Sequence, residues 1–344
     1  MRYLITGGTG FLGAYVCRQL LKKGEEVVIY DWKIKDSPAE IILTGDEMAK
    51  LKMVQGDVCD IVSLLNTARQ YEVRKVVHLA GILAPLSEAN PSLAQRVNCE
   101  GTNNVFEAAR ILGLEKVVWV SSNAVFGQYG LGAGTVRGQA GVGASLFERA
   151  SEIHTLDEDS PHRPVTVYGA TKSLCEFMGK YYAERWQLDI IGLRLGRTIG
   201  LGKVTGGGRD FAELIWKVAK NHPAVIPNAE FVRPYDYVED LARAFVLASE
   251  AGKTKTRLFC ASGFEQRTNR ELGEILKKLN PGADITVEPT PPGAYRGYRI
   301  DCSRIQEELK FFPKYSLEQA LKIMIEAFRG MATMEERVGD KLAG

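Results

Sequence analysis

Apolar residues along the first two hundred positions come in short runs, each followed by a longer amphipathic stretch. Tyr3–Ile5, Glu26–Asp31, Lys52–Gln55, Val73–Leu79, Val117–Ser121 and Asp189–Arg194 have the length and β-branched content of buried strands. Between them Ala14–Lys23, Asp60–Tyr71, Pro91–Leu112 and the stretch from Tyr168 to Arg185 read as helices, and Pro91 suits a first turn. Such alternation demands right-handed crossovers and predicts an α/β fold built on a doubly wound parallel sheet. Beyond Gly200 the rhythm fades. Helices predicted at Asp210–Lys220, Val238–Ser249, Thr268–Leu279 and Leu317–Arg329 are mixed with proline-containing segments. We therefore expect a first domain of residues 1–195, with 232–262 returning to it. A smaller mixed α/β C-terminal domain, for substrate, would comprise 196–231 and 263–344. Gly127–Ala150 fits neither pattern: its seven glycines predict a long loop over the strand ends, placed to gate a ligand.

Composition changes this picture little. At 344 residues, 45% hydrophobic and 25% charged, the chain is an ordinary globular protein sized for a large domain and a smaller one. A net charge of +2 supplies no basic field, which argues against nucleic acid as a partner. The six cysteines, at 17, 59, 99, 175, 260 and 302, form no Cys-x-x-Cys pair and read as reduced thiols. The four histidines are equally scattered, so no metal site is expected. No apolar stretch reaches membrane-spanning length, and a strand at residue 2 leaves no room for a signal peptide. The expected compartment is the cytoplasm.

Chemistry enters where the first strand breaks. Thr6-Gly-Gly-Thr-Gly-Phe-Leu-Gly13 spaces Gly7, Gly10 and Gly13 three apart between a strand and a helix. Gly7 permits the tight turn, Gly10 lets backbone approach a pyrophosphate, and Gly13 lets the helix pack on the strand. Free N–H groups at the helix start, over Phe11, Leu12 and Gly13, then favour the negative charge. Asp31 ends the second strand 24 residues after Gly7, the place of a carboxylate that takes the ribose hydroxyls of a dinucleotide. A carboxylate there repels a 2′-phosphate and so selects NAD over NADP, although Lys33 and Lys35 lie just beyond.

Tyr168 and Lys172 stand four apart, on one face of a helix. A cation beside a phenol favours phenolate, so Lys172 is expected to lower the Tyr168 pKa and let it take a proton from an alcohol while hydride leaves. Ser121 and Ser122 end the fifth predicted strand. A serine there can hold the substrate oxygen toward the phenol, and we assign Ser121 no chemistry.

The glycine turn, the strand-end serines and the Tyr/Lys pair together resemble the extended short-chain dehydrogenase/reductases, the NAD-dependent epimerase/dehydratase family. Further family-like segments follow in order: Asp57-Val58, His78-Leu-Ala-Gly81, Val97-Asn98, Gly101-Thr102, Glu158-Asp-Ser-Pro161, Tyr237-Val-Glu-Asp-Leu-Ala242 and Asp301-Cys-Ser-Arg304. The resemblance implies a Rossmann sheet and NAD as cofactor. It makes Ser122, Tyr168 and Lys172 the catalytic residues, with Tyr168 and Lys172 also against the cofactor. It places Asp57 and Val58 beside the adenine, Leu79, Ala80 and Gly81 beside the cofactor, and Asn98 as a support of the central helix through backbone bonds. It also implies a homodimer through a four-helix interface.

Departures from the family narrow the reaction. The family's 4,6-dehydratases carry an Asp-Glu pair where this chain has Asn123 and Ala124, which cannot eliminate water. Enzymes that epimerise next to a carbonyl carry a cysteine where Asn123 stands. Sugar-nucleotide enzymes of the family usually have Asn at the position of Arg197 and an Arg-x-Gly-Asp where this chain reads Pro291-Pro-Gly-Ala294. Arg233 does match the family's phosphate-gripping arginine. Asn123, Arg197 and Arg233 are the candidate substrate residues, the two arginines for a phosphate, a carboxylate or a protein carboxylate. The leading expectation is an NAD-dependent dehydrogenase or reductase of a non-nucleotide secondary alcohol or ketone. The alternative is a nucleotide-sugar 4-epimerase that keeps its NAD bound. A regulatory protein without catalysis is disfavoured by the presence of Ser122, Tyr168 and Lys172.

Overall fold

The computed structural model describes residues 1–127, 153–203, 208–292, 294, 296–334 and 336. Seven parallel strands form the central sheet: β1 (Arg2–Thr6), β2 (Glu26–Asp31), β3 (Lys52–Gln55), β4 (Lys75–His78), β5 (Lys116–Ser122), β6 (Ile190–Leu195) and β7 (Leu258–Cys260). Their spatial order is β3-β2-β1-β4-β5-β6-β7. Leu4 lies opposite Val28 on one side and Val76 on the other, so β1 is apolar on both faces and flanked by apolar neighbours. Strand order reverses between β1 and β4, which opens a crevice at their carboxyl ends.

Helices cover both faces. On one side α1 (Phe11–Lys22) and α6 (Val238–Glu250) pack Ala14, Val16, Leu20 and Phe245 against Ile5, Ile29, Val77 and Val118. On the other, α2 (Ile61–Gln70), α3 (Gly101–Leu112) and α4 (Val167–Trp186) bring Leu64, Ala68, Phe106 and Tyr182 against Leu4, Val28 and Trp119. Phe106 meets the Trp119 ring edge-on at 5.8 Å. The remaining elements form a smaller mixed part. Short pairs join Ala224–Ile226 to Ile285–Val287 in parallel and Val232–Pro234 to Gln266–Thr268 antiparallel. Around them lie α5 (Arg209–Ala219), α7 (Asn269–Leu279) and α8 (Leu317–Arg329).

Three features depart from the sequence reading. The sheet has a seventh strand, β7, whose three residues are too short to show a period; it is held by its register with Gly192–Arg194. Two short helices, Pro38–Ile42 and Gly45–Lys50, fill the β2–β3 connection. The second begins with a Thr44/Glu47 capping box, and Glu47 also accepts from the fully buried Arg18 at 2.9 Å. The predicted single helix Pro91–Leu112 is interrupted by a π-turn at Gln95–Glu100 before α3. Gly127 has a φ of 63°, and the rest of the proposed gate, from 128 to 150, lies outside the described residues.

The glycine turn sets a sharp steric limit. A Cβ at Gly13 would sit 2.2 Å from the Gly7 carbonyl oxygen and 2.7 Å from Gly8 Cα, both backbone atoms with no rotamer to yield. Gly13→Ala should lower unfolding free energy by about 1–3 kcal/mol in urea titration. Gly252→Ala, where nothing lies within 4 Å, is the matched control and should change it little.

Candidate active site

The crevice between β1 and β4 collects the residues of the glycine turn. Gly7 adopts φ +71°, and its N–H donates to the Tyr30 carbonyl at 3.2 Å. A Cβ at Gly7 would lie 2.6 Å from Ala80 N, so Leu79 and Ala80 cross directly over the turn. Gly10 N donates to Gly7 O at 3.1 Å, and α1 starts without a side-chain cap. Its opening N–H groups, at Phe11, Leu12 and Gly13, are thus left to an external acceptor. Asp31 closes β2 and is 9% exposed; its Oδ2 accepts from Thr9 N at 3.1 Å and Thr9 Oγ1 at 2.6 Å. Asp57 Oδ1 accepts from Cys59 N at 2.9 Å, and the Val58 carbonyl accepts from Asn104 Nδ2 at 3.0 Å.

Asn98 lies in the π-turn. Its Oδ1 accepts from Ile82 N at 2.7 Å, and its Nδ2 donates to Ile82 O at 3.0 Å and Thr171 Oγ1 at 3.1 Å. The backbone it holds is therefore that of the segment after β4, tied across to α4, and not that of its own helix. A Cβ at Gly81 would meet Asn98 Oδ1 at 3.1 Å and Lys172 Nζ at 3.8 Å. Missing side chains at Gly7, Gly10 and Gly81, an uncapped helix start and a carboxylate at the end of β2 fit a dinucleotide lying along the crevice.

β5 ends at Ser122, whose Oγ accepts from Ala124 N at 3.1 Å and starts the turn Asn123–Phe126. Tyr168 lies in the first turn of α4, with Ser122 near enough to lower the pKa of its phenol. Thr166 caps this helix through Gly169 N at 3.0 Å. Glu88, which the sequence did not single out, accepts from Val167 N at 3.0 Å and Tyr168 N at 3.1 Å. Lys172 follows one turn on, 1% exposed, with Nζ 5.8 Å from the Tyr168 ring centroid. That ammonium donates to the Val120 carbonyl at 2.9 Å. Burial lowers the pKa of Lys172. Burial also pushes the Tyr168 phenol up to about 12, against the lowering effect of Ser122. In the protein by itself, desolvation sets the direction of this shift.

The candidate substrate residues lie on the segments that follow β5 and β6. Asn123 is buried, and neither its Oδ1 nor its Nδ2 has a hydrogen-bond partner, while its carbonyl accepts from Tyr298 OH at 3.0 Å. Arg197 pairs with Asp210 at 3.2 Å. The Arg233 guanidinium stacks over the Phe231 ring at 4.5 Å, its Nε is buried without a partner, and burial together with the Arg197 charge lowers its pKa. Lys203, missed in the sequence, lies 5.0 Å from the Phe11 ring centroid and is pushed down to about 8 by burial and by Arg197. Three cations thus lie together with Asp210.

A buried ionic cluster joins α4 to β5 and β6. Glu176 on α4 accepts from Arg194 Nε at 2.9 Å and Arg194 Nη2 at 2.7 Å, from Ser121 Oγ, and pairs with His162 Nε2 at 2.8 Å. Arg194 also donates to the Asp157 and Glu158 carbonyls at 3.3 Å. Ser121 is accordingly a satisfied hydroxyl. The signal that could have found Glu176 is its spacing four residues after Lys172, on the same helix face. Among the described residues no three His, Cys, Asp or Glu side chains are grouped to hold a metal ion, and no helix is long and apolar enough to cross a membrane.

This fold and constellation define an NAD-linked member of the short-chain dehydrogenase/reductase class. The profile of the NAD dependent epimerase/dehydratase family matches residues 3–259, and the chain belongs to that family. It is an enzyme of the extended short-chain type, and NAD is the family's cofactor. Among its relatives, UDP-glucose 4-epimerase of Mycolicibacterium smegmatis is 27% identical over 336 residues, 96% of this chain and 99% of that protein. Bovine mitochondrial L-threonine 3-dehydrogenase is 28% identical over 296 residues, 84% of this chain and 71% of that one. In structure, Thermotoga maritima UDP-glucose 4-epimerase with UDP-glucose superposes with a TM-score of 0.78 at 22% identity, covering 96% of this chain and 99% of that one.

His78, beside the crevice, yields a pH prediction. It is fully buried between Thr6 Oγ1 at 2.6 Å and Thr102 Oγ1 at 2.9 Å, and burial lowers its pKa from 6.5 to about 3. The unfolded chain therefore binds the extra proton between these values. The stability this residue contributes is complete above pH 6.5 and is lost as pH falls toward 3, at up to about 1.4 kcal/mol per unit. Urea unfolding at pH 7 and pH 5 should show wild type losing about 2 kcal/mol more than His78→Gln.

Proposed function

We propose that the protein is an NAD-dependent dehydrogenase or reductase of a secondary alcohol or ketone that is not a nucleotide sugar and that bears an anionic group. The observation carrying this reading is at position 197. Where the sugar-nucleotide enzymes that the chain resembles usually carry a neutral asparagine, Arg197 is ion-paired to Asp210 and lies close enough to Arg233 and Lys203 to affect their ionisation. Those side chains offer fixed positive charge, which suits a carboxylate or phosphate on a small substrate.

Ser122 and Tyr168 form the reacting pair. Ser122 holds the substrate hydroxyl through its Oγ, beside the phenol, and the Tyr168 oxygen takes the hydroxyl proton as hydride leaves the carbon. Bound NAD supplies the hydride acceptor. Lys172, beside Gly81 and Asn98, is placed to bind the nicotinamide ribose while its charge favours phenolate. Bringing the phenol from about 12 to about 8 takes about 5 kcal/mol of differential stabilisation, the task of Lys172 and the cofactor's own charge together. Asp31 takes the adenosine ribose hydroxyls with the oxygen that Thr9 leaves open, which favours NAD over NADP. A second reading, a nucleotide-sugar 4-epimerase, is favoured by the end-to-end similarity to the M. smegmatis enzyme. Stoichiometric NADH from added NAD and anionic secondary alcohols supports the first reading; interconversion of UDP-glucose and UDP-galactose without net NADH supports the second.

We also infer a homodimer. Leu174, Phe177 and Tyr181 project from α4 into solvent, Phe177 at 66% exposure, with the Phe177 and Tyr181 rings stacked at 6.5 Å. Such a stripe beside the exposed Ile111 of α3 suits the same two helices of a second copy.

Two outcomes are expected. Tyr168→Phe should cut turnover about 100- to 10,000-fold while leaving NAD binding intact, as read by steady-state kinetics and calorimetry. Light scattering at micromolar concentration should give a dimer mass for wild type and a monomer mass for Phe177→Asp.

A further inference from the structure

Two thiols beside Lys172 take no part in the chemistry above. Cys99 lies in the π-turn, next to Asn98, and Cys175 lies on α4, three residues past Lys172. Cys175 Sγ donates to the carbonyl of Asn98, the neighbour of Cys99, at 3.2 Å, and Cys99 Sγ reaches the carbonyl of Thr171, one turn before Cys175, at 3.9 Å, so each thiol lies against the backbone beside the other. Cys175 is buried and Cys99 is half-buried, so solvent reaches the pair from the Cys99 side. Cys99 beside it and the Lys172 ammonium lower the Cys175 thiol pKa, whereas Cys99 is pushed up by Cys175 and by burial. The pair therefore places a more acidic thiol beside a second thiol that can resolve it. No other cysteine has this setting. Cys17, Cys260 and Cys302 are buried with their thiols pushed up, and half-buried Cys59 is pushed up to about 12.

We propose that Cys99 and Cys175 are a redox site, joined by hydroperoxides into a disulfide that weakens NAD binding. The Cys175 thiolate attacks the hydroperoxide: an S–O bond forms, the O–O bond breaks, and the departing alkoxide takes a proton from solvent. Cys99 sulfur then displaces hydroxide from the sulfenic acid, the S–S bond forms, and the Cys99 proton leaves with that hydroxide as water. Two thiols and one hydroperoxide give one disulfide, one alcohol and one water. A disulfide requires an S–S distance of about 2.05 Å and consumes the thiol proton that Cys175 donates to Asn98. The π-turn must move with it. Asn98 carries the Ile82 backbone and flanks Gly81, so the cofactor side of the crevice moves too.

The test uses the whole protein and needs no substrate. Purified wild type is treated with hydrogen peroxide, alkylated and peptide-mapped, and NAD affinity is measured by calorimetry before and after dithiothreitol. A bridged Cys99–Cys175 peptide is expected, with NAD binding weakened about fivefold or more and restored by the reductant. Cys99→Ser should bind NAD as reduced wild type does and ignore peroxide; Cys99→Ala serves if the serine perturbs folding. Absence of the bridge, a bridge that leaves NAD affinity unchanged, or equal weakening in the Cys99 variants would overturn the proposal.

Discussion

The Glu176 carboxylate is almost wholly withdrawn from water and is shared by Arg194, Ser121 and His162. Through it α4, which carries Tyr168 and Lys172, is bolted to β5, which carries Ser122, and to β6, which carries Arg194. The same arginine holds the carbonyls of Asp157 and Glu158, at the start of the segment that leads into α4. Burying such a pair is costly, and it persists because both ions have their hydrogen bonds filled; removing one partner of a buried pair costs about 3–5 kcal/mol. Neighbouring hydrogen bonds at Glu88 and Thr166 fix the start of the same helix. The meeting of Ser122 with Tyr168 thus rests on ionic fixation from behind and capping from the front.

Close approach of backbone does for the glycine-turn side of the crevice what the ion pair does for Ser122 and Tyr168. Gly7 lies under Ala80, and Gly101 lies against Val58, where a Cβ would come within 2.6 Å in each case. Those contacts press the β1 turn, the β4 turn and the start of α3 into one crevice edge. Asn98 completes the edge by holding Ile82, and the π-turn supplies the extra residue that lets its amide face that way.

Electrostatics divides the crevice. Around Tyr168 and Lys172 desolvation dominates: the phenol is pushed up and the ammonium down, so both favour their neutral forms until opposite charge is brought in. Beyond β6, Arg197, Arg233 and Lys203 lie together with Asp210, and the Arg197 charge lowers the pKa of both other cations. The proposed substrate, with a secondary alcohol at one end and negative charge at the other, follows from this division.

Much of this was legible in the chain. The alternation of apolar runs and amphipathic helices dictated a doubly wound parallel sheet, because a strand buried on both faces has few other homes. The Gly7/Gly10/Gly13 spacing and Asp31 announced the dinucleotide turn, since a Cβ at Gly7 would run into Ala80 N and one at Gly13 into the Gly7 carbonyl. Tyr168 and Lys172 were readable because an i,i+4 pair shares a helix face. What lay beyond the sequence depended on long-range packing. β7 exists by register with β6, and its three residues carry no period. The π-turn follows from fitting Asn98 between Ile82 and Thr171, a demand made by distant segments. Arg194 and Glu176 read only as charges until folding set them against Ser121 and His162. The burial of Tyr168 was hidden for the same reason: sequence spacing shows which charge lies near a group, and only the tertiary structure shows how completely that group has lost its water.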